Sequence, residues 1–184
     1  MSTGPSRPSS GAVVQHLVLR CRDIEKSHTF YTEILGFEQC AALEKEKFPM
    51  FDMRFYRGSA DHHHDLALSQ LLHAGANPPE APWQMLVGRD PGIDHIAICY
   101  PSRDAWLDQI RWMKSQGVEF LVRGNHGMTH SAYISDPDGN GIEVLYDVPK
   151  EAWQGDVNAA LNYFEVLPTD GDEAFEDNTE YVKF

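Results

Sequence analysis

The sequence predicts an α+β protein built from two packed βαβββ modules that form a shared, partly open, barrel-like cleft. Strand-like and helix-like segments recur in the same order in two halves, and 79 residues separate the equivalent positions His16 and His95. The chain has 184 residues and is 42% hydrophobic, which is enough apolar material for a core. Because a four-stranded sheet with one helix leaves an apolar face uncovered, two such modules are expected to pack together.

The first module is expected over residues 12–72. It opens with the strand-like run Gln15-His16-Leu17-Val18-Leu19. Asp23 is placed to cap a helix over about 24–35, and Gly36 ends that helix. The predicted apolar face of the helix consists of Phe30, Ile34 and Leu35. Three strand-like runs follow, near 37–43, 50–57 and 64–71.

The second module, expected over 93–148, repeats this order. Its first strand is Asp94-His95-Ile96-Ala97-Ile98, and Ser102 caps a helix over about 103–116 that Gly117 ends. The residues expected to face inward on this helix are Trp106, Ile110 and Met113. Strands are predicted near 118–123, 129–135 and 141–147, the last two joined by the turn Asp136-Pro137-Asp138-Gly139-Asn140-Gly141.

Three segments lie outside the modules. Residues 1–11 are rich in Ser, Pro and Gly and are expected to be disordered. Residues 73–92 form a Pro/Gly-rich linker, and residues 149–184 form an acidic C-terminal extension with one helix-like stretch over about 154–164.

The charge of the chain excludes several classes of partner. There are 15 Lys and Arg residues against 28 Asp and Glu residues, for a formal net charge of −13. Nucleic acid and anionic membrane surfaces are therefore not expected as partners. No secretory signal and no apolar run of the ~20 residues needed for a membrane span is visible. The three cysteines show no CxxC spacing, so we expect a soluble, cytoplasmic protein with reduced thiols.

Three residues far apart in the sequence are candidate metal ligands. His16 and His95 occupy the same position in the first strand of each module, so a pseudo-two-fold arrangement would bring them together. Glu143 lies in the otherwise apolar run Gly141-Ile142-Glu143-Val144-Leu145, where an unpaired carboxylate would be costly to bury. A hydrogen-bonded strand residue is the ordinary explanation for either histidine alone. Two histidines and one carboxylate together suit Fe(II) with open coordination positions, and they suit Mn(II) as well.

These segments resemble the vicinal oxygen chelate superfamily, which includes glyoxalase I, fosfomycin and bleomycin resistance proteins and type I extradiol dioxygenases. The resemblance covers about residues 12–148 and is carried by Gln15-His16-Leu17, by Asp94-His95-Ile96-Ala97 and by the turn at Asp136 with the Glu143 that follows. His63-His64-Asp65-Leu66-Ala67-Leu68 and His126-Gly127-Met128-Thr129 are similar to segments of the small extradiol dioxygenases.

The resemblance implies a function and a set of site residues. His16, His95 and Glu143 would bind Fe(II), His64 would be the active-site acid/base, and His126 and Tyr133 would lie beside the substrate. His130 is an alternative to His126, because the spacing from His126 to Tyr133 is shorter than in the larger enzymes. The implied reaction is O2-dependent cleavage of a catechol-type ring, for example that of catechol or a dihydroxybiphenyl. The fold is also compatible with a homodimer.

Two other functions are compatible with the same fold. A glyoxalase-type, non-redox metal enzyme would take an additional carboxylate from the last strand of the first module, where this chain offers His64 or Asp65. A metal-free resistance protein would bind an aromatic drug in the cleft, but it would not need His16, His95 and Glu143.

Overall fold

The computed structural model describes residues 16–59, 63–72, 93–177 and 180–184. The expectations for residues 1–11 and 73–92 lie outside these ranges. The chain divides into two compact units, one comprising Met1–Ile24 and Phe37–Asn77 and the other Glu25–Gly36 and Pro78–Phe184. Each unit contains one open sheet, so the α+β prediction is confirmed, and neither sheet closes into a barrel.

The sheet of the first unit has the strand order β1-β4-β3-β2. β1 pairs with β4 in parallel, and the other pairs are antiparallel. The strand predicted from residue 64 begins at Leu66, so His64 lies just ahead of it. The strands are β1 (Leu17–Arg20), β2 (Glu38–Ala42), β3 (Phe51–Arg57) and β4 (Leu66–Leu71).

The sheet of the second unit has the strand order β5-β8-β7-β6-β9, again with one parallel pair, β5 with β8. The predictions for β7 and β8 are confirmed, whereas the strand predicted near 118–123 lies at 122–125. The strands are β5 (His95–Cys99), β6 (Val122–Asn125), β7 (Thr129–Ser135), β8 (Gly141–Asp147) and β9 (Glu165–Leu167).

The first helix, α1 (Ile24–Thr29), continues as a π-helical turn over Phe30–Ile34 and ends where Gly36 adopts a φ of 83°. A helix is therefore present where it was predicted over 24–35, but its second half is π-helical instead of α-helical. Residues 25–36 belong to the second unit. The Tyr31 hydroxyl, which is 1% exposed, donates to Asp136 Oδ2 at 3.0 Å and so anchors this helix to the turn before β8.

Helix α2 (Arg103–Ser115) covers one face of the second sheet. The Ser102 side chain accepts a hydrogen bond from Ala105 N at 3.2 Å, which confirms the predicted cap. The predicted inward residues Trp106, Ile110 and Met113 are all fully buried. Since burial of each large apolar side chain contributes roughly 1.5–3 kcal/mol, this face holds the helix on the sheet. None of the helices in the described ranges is long and apolar enough to cross a bilayer.

The C-terminal extension differs from its prediction. The helix expected over about 154–164 is the shorter α4 (Val157–Leu161), which begins where the Asp156 side chain accepts a hydrogen bond from Ala159 N. A separate short helix that was not predicted, α3 (Lys150–Trp153), precedes it. The chain then adds β9 to the edge of the sheet beside β6. The fully buried Arg123 side chain donates to the carbonyl oxygens of Pro168, Glu173 and Glu176.

A second buried contact holds the end of the extension. Asp177 accepts hydrogen bonds from His130 Nδ1 at 2.6 Å and from the Tyr146 hydroxyl at 2.5 Å, and Arg103 Nε lies 3.3 Å from the same carboxylate. Burial by itself raises the pKa of Asp177. The hydrogen bonds from His130 and Tyr146 and the charges of His130 and Arg103 outweigh burial and lower this pKa.

We predict that Asp177→Asn lowers the free energy of unfolding by about 3 kcal/mol, because a buried charge partner of His130 and Arg103 is lost. Urea titration followed by circular dichroism measures this difference. Because the folded pKa is depressed, the stabilisation is fully present above the ordinary carboxyl pKa of 3.8 and is lost as the pH falls below it. The same change at the exposed Asp172 is the control, and equal effects of the two substitutions would contradict the prediction.

Candidate functional site

The strand register of the second sheet brings predicted site residues together on one face. Glu143 of β8 pairs with Tyr133 of β7 and with Ala97 of β5, so these three residues share a face. His95 lies two residues before Ala97 and therefore points to the same side. This face is the one opposite α2, because Trp106 of α2 packs against the ring of Tyr146, whose side chain lies on the other face of β8 from that of Glu143.

His95 and Glu143 form the centre of the site. His95 Nε2 lies 3.2 Å from Glu143 Oε2, and the Glu143 side chain is 9% exposed. The other ring nitrogen, His95 Nδ1, is 2.8 Å from Asp94 Oδ2. The Asp94 carboxylate thus accepts a hydrogen bond from His95 Nδ1–H, which leaves Nε2, on the Glu143 side, as the ring nitrogen available to bind a metal ion. Asp94 was not among the predicted site residues, although an acidic residue directly before a candidate ligand was a visible signal.

Tyr133 links Glu143 to His126. The Tyr133 hydroxyl donates to Glu143 Oε1 at 2.7 Å and lies 2.9 Å from His126 Nε2. A hydroxyl has one proton to donate, so the second contact requires His126 Nε2–H to donate to the Tyr133 oxygen. Asp94, His95, Glu143, Tyr133 and His126 therefore form one continuous chain of polar contacts within the second unit.

The turn before β8 fixes the orientation of Glu143. Asp136 Oδ1 accepts from the backbone N–H groups of Asp138 and Asn140, and Gly139 adopts a φ of 80°. Ser27 of α1 donates to Asp138 Oδ2 at 2.7 Å, which ties the turn to the helix. The turn has no chemistry of its own at the site, and its effect is to start β8 in the register that aims Glu143 at His95.

Burial controls the protonation of the site. Burial, together with the hydrogen bond to Glu143 and the charge of this carboxylate, raises the pKa of Tyr133, so the phenol keeps its proton at neutral pH. Burial lowers the pKa of His126. The Glu143 charge opposes this effect, while His95 and His130 add to it. Neutral His126 with a proton on Nε2 is therefore the form present near pH 7.

A cavity of about 360 Å³ opens onto this face. The polar groups of its wall include Glu143, Tyr133 and His126, and the apolar groups are Met128, Leu145, Trp153 and Leu161. Glu143 and Tyr133 are buried, whereas Leu161 is 69% exposed and Asp147 is also exposed, so the first two residues form the floor and the last two lie at the rim. The volume is at the lower end of the range typical of small-molecule sites.

The structure separates the two histidines that the sequence left as alternatives. His126 lies beside Tyr133 on the face of the cavity. His130 is buried on the face of α2, where it contacts Asp177 and Tyr146. Gly127, with a φ of 74°, forms the turn between the two.

The first unit contains the other predicted site residues. His16 directly precedes β1, and its ring centroid is 4.6 Å from that of His64. His63 Nδ1 is 2.6 Å from His64 Nδ1, and the Phe55 ring packs edge-on against His64 at 5.2 Å. The first sheet therefore places a cluster of imidazoles at the amino-terminal end of β1.

The donor set of the second unit fits a divalent metal ion. Two ligand atoms bound at about 2.1 Å and at right angles to each other are about 3.0 Å apart, close to the 3.2 Å between His95 Nε2 and Glu143 Oε2. Asp94 orients the imidazole in the way that metal-binding histidines require. In the part of the chain that the structure describes, no group of three or more His, Cys, Asp or Glu side chains is placed to hold a metal ion. The predicted ligands that lie within contact distance of each other are His95 and Glu143.

Comparison with known proteins identifies the family. Residues 13–144 match the Glyoxalase/Bleomycin resistance protein/Dioxygenase superfamily, and the chain belongs to it. Members of this superfamily bind divalent metal ions. Over 75% of its length, the chain also resembles the crystal structure of a glyoxylase/bleomycin resistance protein/dioxygenase domain from Frankia sp. EAN1pec, with a TM-score of 0.58, 18% identity and 99% of that chain covered.

Relatives with two different activities are similarly close. Catechol-2,3-dioxygenase of Bacillus subtilis (strain 168) is 28% identical over 75% of this chain. The chain spans only 42% of the length of that relative. Lactoylglutathione lyase of Pseudomonas putida is 31% identical over 74% of this chain and 86% of the relative. Both dioxygenases and glyoxalases are therefore among the homologues, and sequence identity does not separate them.

We predict that His126 titrates below its ordinary pKa of 6.5 and that Phe164→Ala raises its pKa toward that value. The Phe164 ring packs against His126 with 4.9 Å between ring centroids, and removing it admits water, which favours the charged imidazole. An NMR titration of the ring protons measures the pKa, with a His126→Gln variant for assignment. Val166→Ala is the control on the same extension, and a His126 pKa at or above 6.5 in the unsubstituted protein would contradict the account.

Proposed function

We propose that this chain is an extradiol ring-cleaving dioxygenase that inserts O2 into a catechol-type aromatic substrate at an Fe(II) site. In this proposal His16, His95 and Glu143 are the protein ligands of the metal ion, and Mn(II) suits the same set. His64, His126 and Tyr133 act on the substrate. The polar contacts of His95 and Glu143 support the metal assignment, and the resemblance of the His63-His64 segment to that of extradiol dioxygenases supports the reaction.

The observation that carries the proposal is the register of the parallel strand pair in each sheet. Ala97 pairs with Glu143 in the second unit, and Val18 pairs with Ala67 in the first. Ala97 lies two residues after His95, and Val18 lies two residues after His16. Ala67 therefore occupies the position in the first sheet that Glu143 occupies in the second. A glyoxalase-type site takes an additional carboxylate from this strand, which an alanine cannot provide. Three protein ligands with three open positions suit a diol and O2 better than the glyoxalase reaction.

Asp65, one of the residues considered as an additional glyoxalase-type ligand, already has a structural partner. Its Oδ2 atom accepts a hydrogen bond from Gly58 N at 2.8 Å. The bond ties the loop after β3 to the start of β4. This contact supports a structural role for Asp65 and leaves His64 as the alternative fourth ligand for a glyoxalase-type site.

Tyr133 and His126 are suited to holding and moving protons on the substrate. When bound, a ferrous ion supplies the open positions and the redox chemistry that bring an aromatic diol and O2 together. On substrate binding the Tyr133 hydroxyl would donate its one hydrogen bond to a diol oxygen in place of Glu143 Oε1, and His126 Nε2–H, 2.9 Å from the Tyr133 oxygen, would provide the next proton. Because both groups keep their protons near pH 7, they favour binding of the diol as an anion.

His64 has a separate role in the proposal. Imidazole titrates near neutral pH, so His64 is suited to accept the proton that the diol loses on binding and to return a proton later in the reaction. Its packing against His16 and Phe55 restrains the ring in one orientation. His64→Gln is expected to lower kcat while leaving metal content unchanged.

The direct test is to load the protein with Fe(II) under anaerobic conditions, add catechol or 2,3-dihydroxybiphenyl, and admit air. We expect uptake of one O2 per ring cleaved and a yellow semialdehyde product. Glu143→Gln should lower the rate at least about 100-fold, since a metal ligand matters at least as much as the groups around it. The control is Glu119→Gln, which makes the same change at an exposed site.

A glyoxalase-type activity without O2 consumption would identify the alternative enzyme. If the protein loaded with Zn(II) or Ni(II) isomerises the adduct of methylglyoxal and glutathione, and the Fe(II)-loaded protein consumes no O2 with either diol, the proposal is wrong. Tight binding of an aromatic compound by protein that takes up no metal would instead identify a resistance-type function.

We further predict that Asp94→Asn lowers Fe(II) affinity 10- to 100-fold, because the carboxylate that orients the His95 ring is lost. Anaerobic titration with a competing chelator measures the dissociation constant. Asp104→Asn, at a side chain that is 88% exposed, is the matched control. An unchanged affinity in Asp94→Asn would show that His95 does not depend on Asp94 for metal binding.

A further inference from the structure

Residues 180–184 reach the turn that carries His126. Tyr181 lies on the α2 side of the sheet, where its ring contacts that of His130 with 5.8 Å between centroids. Three residues later, the Phe184 ring packs against Gly127, which follows His126 between β6 and β7. These residues lie outside positions 13–144, which match the superfamily, so the family match does not account for this contact.

The contacts of Phe184 leave it little freedom to move. A Cβ atom added at Gly127 would lie 2.7 Å from Phe184 Cε2 and 2.8 Å from Cζ, closer than Cβ atoms come to other heavy atoms in proteins. A Cβ atom added at Gly155 would overlap with the main-chain oxygen of Phe184. Phe184 N donates to Ala152 O of α3 at 2.8 Å, and the Phe184 ring packs against that of Tyr163 with 5.5 Å between centroids. Phe184 is therefore held between α3, the residues that follow α3 and the β6–β7 turn.

The backbone of this turn sets the position of His126. Gly127 has a φ of 74°, in the left-handed region, and its N–H group donates to Asn125 Oδ1 at 2.8 Å. His126 N donates to Thr129 O at 2.9 Å across the turn. Because a glycine has many accessible backbone conformations, these two hydrogen bonds alone restrain it weakly. The Phe184 ring restricts Gly127 further, since it occupies the space into which the turn would otherwise move.

A small movement of the turn would change the contacts of the His126 ring. His126 Nε2 lies 2.9 Å from the Tyr133 hydroxyl, and a hydrogen bond weakens steeply when its distance or angle changes. The Phe164 ring restrains the imidazole from another side, with 4.9 Å between centroids. The side chain of His126 is thus restrained by Phe164, and its backbone is restrained through the contact of Phe184 with Gly127.

We propose that Phe184 is a positioning residue that acts through Gly127 and holds His126 Nε2 within hydrogen-bonding distance of the Tyr133 hydroxyl. For its effect on turnover, this inference rests on the proposed function, in which His126 provides a proton. The effect of Phe184 on the contact between His126 and Tyr133 is a property of the folded chain and is measured separately.

The kinetic test is Phe184→Ala in the Fe(II)-loaded protein. We expect kcat for catechol to fall at least about 10-fold with KM changed less than about 2-fold, because a misplaced proton donor slows the reaction without removing a contact that binds the substrate. Phe184→Leu keeps an apolar side chain against Gly127 and should restore most of the loss. Val182→Ala is the control, because Val182 belongs to the same segment and is 36% exposed.

A second variant displaces the segment from the other side. Gly155→Ala introduces a methyl group that overlaps with the main-chain oxygen of Phe184, while Gly127 and His126 are unchanged. We expect the same loss of kcat as in Phe184→Ala, and no further loss when the two substitutions are combined, since both act on one contact. Gly58→Ala is the matched control, because the nearest atom to a Cβ atom there is 3.6 Å away.

The third measurement requires neither metal nor turnover. In nitrogen-15 NMR spectra of the metal-free protein, the Nε2–H proton of His126 should exchange with water at least about 10-fold faster in Phe184→Ala and in Gly155→Ala than in Val182→Ala, because the hydrogen bond to Tyr133 opens more often. His126→Gln assigns the signal, and circular dichroism verifies that each variant is folded. Faster exchange in a protein that cleaves neither diol would overturn the proposed function and support the positioning role.

Two results would overturn the inference. One is an unchanged exchange rate of the His126 Nε2–H proton in both Phe184→Ala and Gly155→Ala. The other is an equal acceleration in Val182→Ala, which would show that the His126 contact responds to any change in residues 180–184 and does not depend on the Phe184 ring.

Discussion

The contact between His95 and Glu143 is the constraint on which the site depends. The Glu143 side chain is only 9% exposed in an apolar strand, and burying a carboxylate in this way is costly unless positive charge or hydrogen bonds compensate it. Here the Tyr133 hydroxyl satisfies one oxygen, and the other faces His95 Nε2. The parallel register of β5 and β8 makes this arrangement obligatory, because a shift of one residue would turn Glu143 toward α2.

The rest of the second unit maintains that register. Helix α2 holds the opposite face of the sheet through Trp106, and the turn at Asp136 sets the first residue of β8. Arg123 and Asp177 tie the C-terminal extension to the sheet by contacts that are buried and charged. These contacts hold the later part of the extension to the face of the sheet opposite the site.

Much of the fold was predictable because its signals are local. Helix α2 has a cap, a clear apolar face and a terminal glycine, and the periodicity of β7 and β8 is equally clear. β9 was not predicted, because three residues that pair only with an edge strand leave no periodic pattern. The sequence did not predict that residues 25–36 belong to the second unit. Ser27 and Tyr31 contact residues of that unit that are more than 100 positions away in the sequence.

For the site, the sequence predicted the residues but not the contacts between them. The motifs identified His95, Glu143, Tyr133 and His126, but not their polar connections, since hydrogen bonds across strands depend on register. The choice of His126 over His130 required the turn at Gly127, which decides the face on which each ring lies. The equivalent positions of Ala67 and Glu143 likewise follow only from the strand register within each sheet, and neither motif alone indicates them.

The central claim is that His95 and Glu143 hold a divalent metal ion, and anomalous diffraction tests this claim most directly. Crystals grown anaerobically with Fe(II) and measured on both sides of the iron edge should show one strong peak about 2.2 Å from His95 Nε2 and from a Glu143 oxygen. A peak that contacts neither His95 nor Glu143, or none at full Fe(II) loading, would contradict the account.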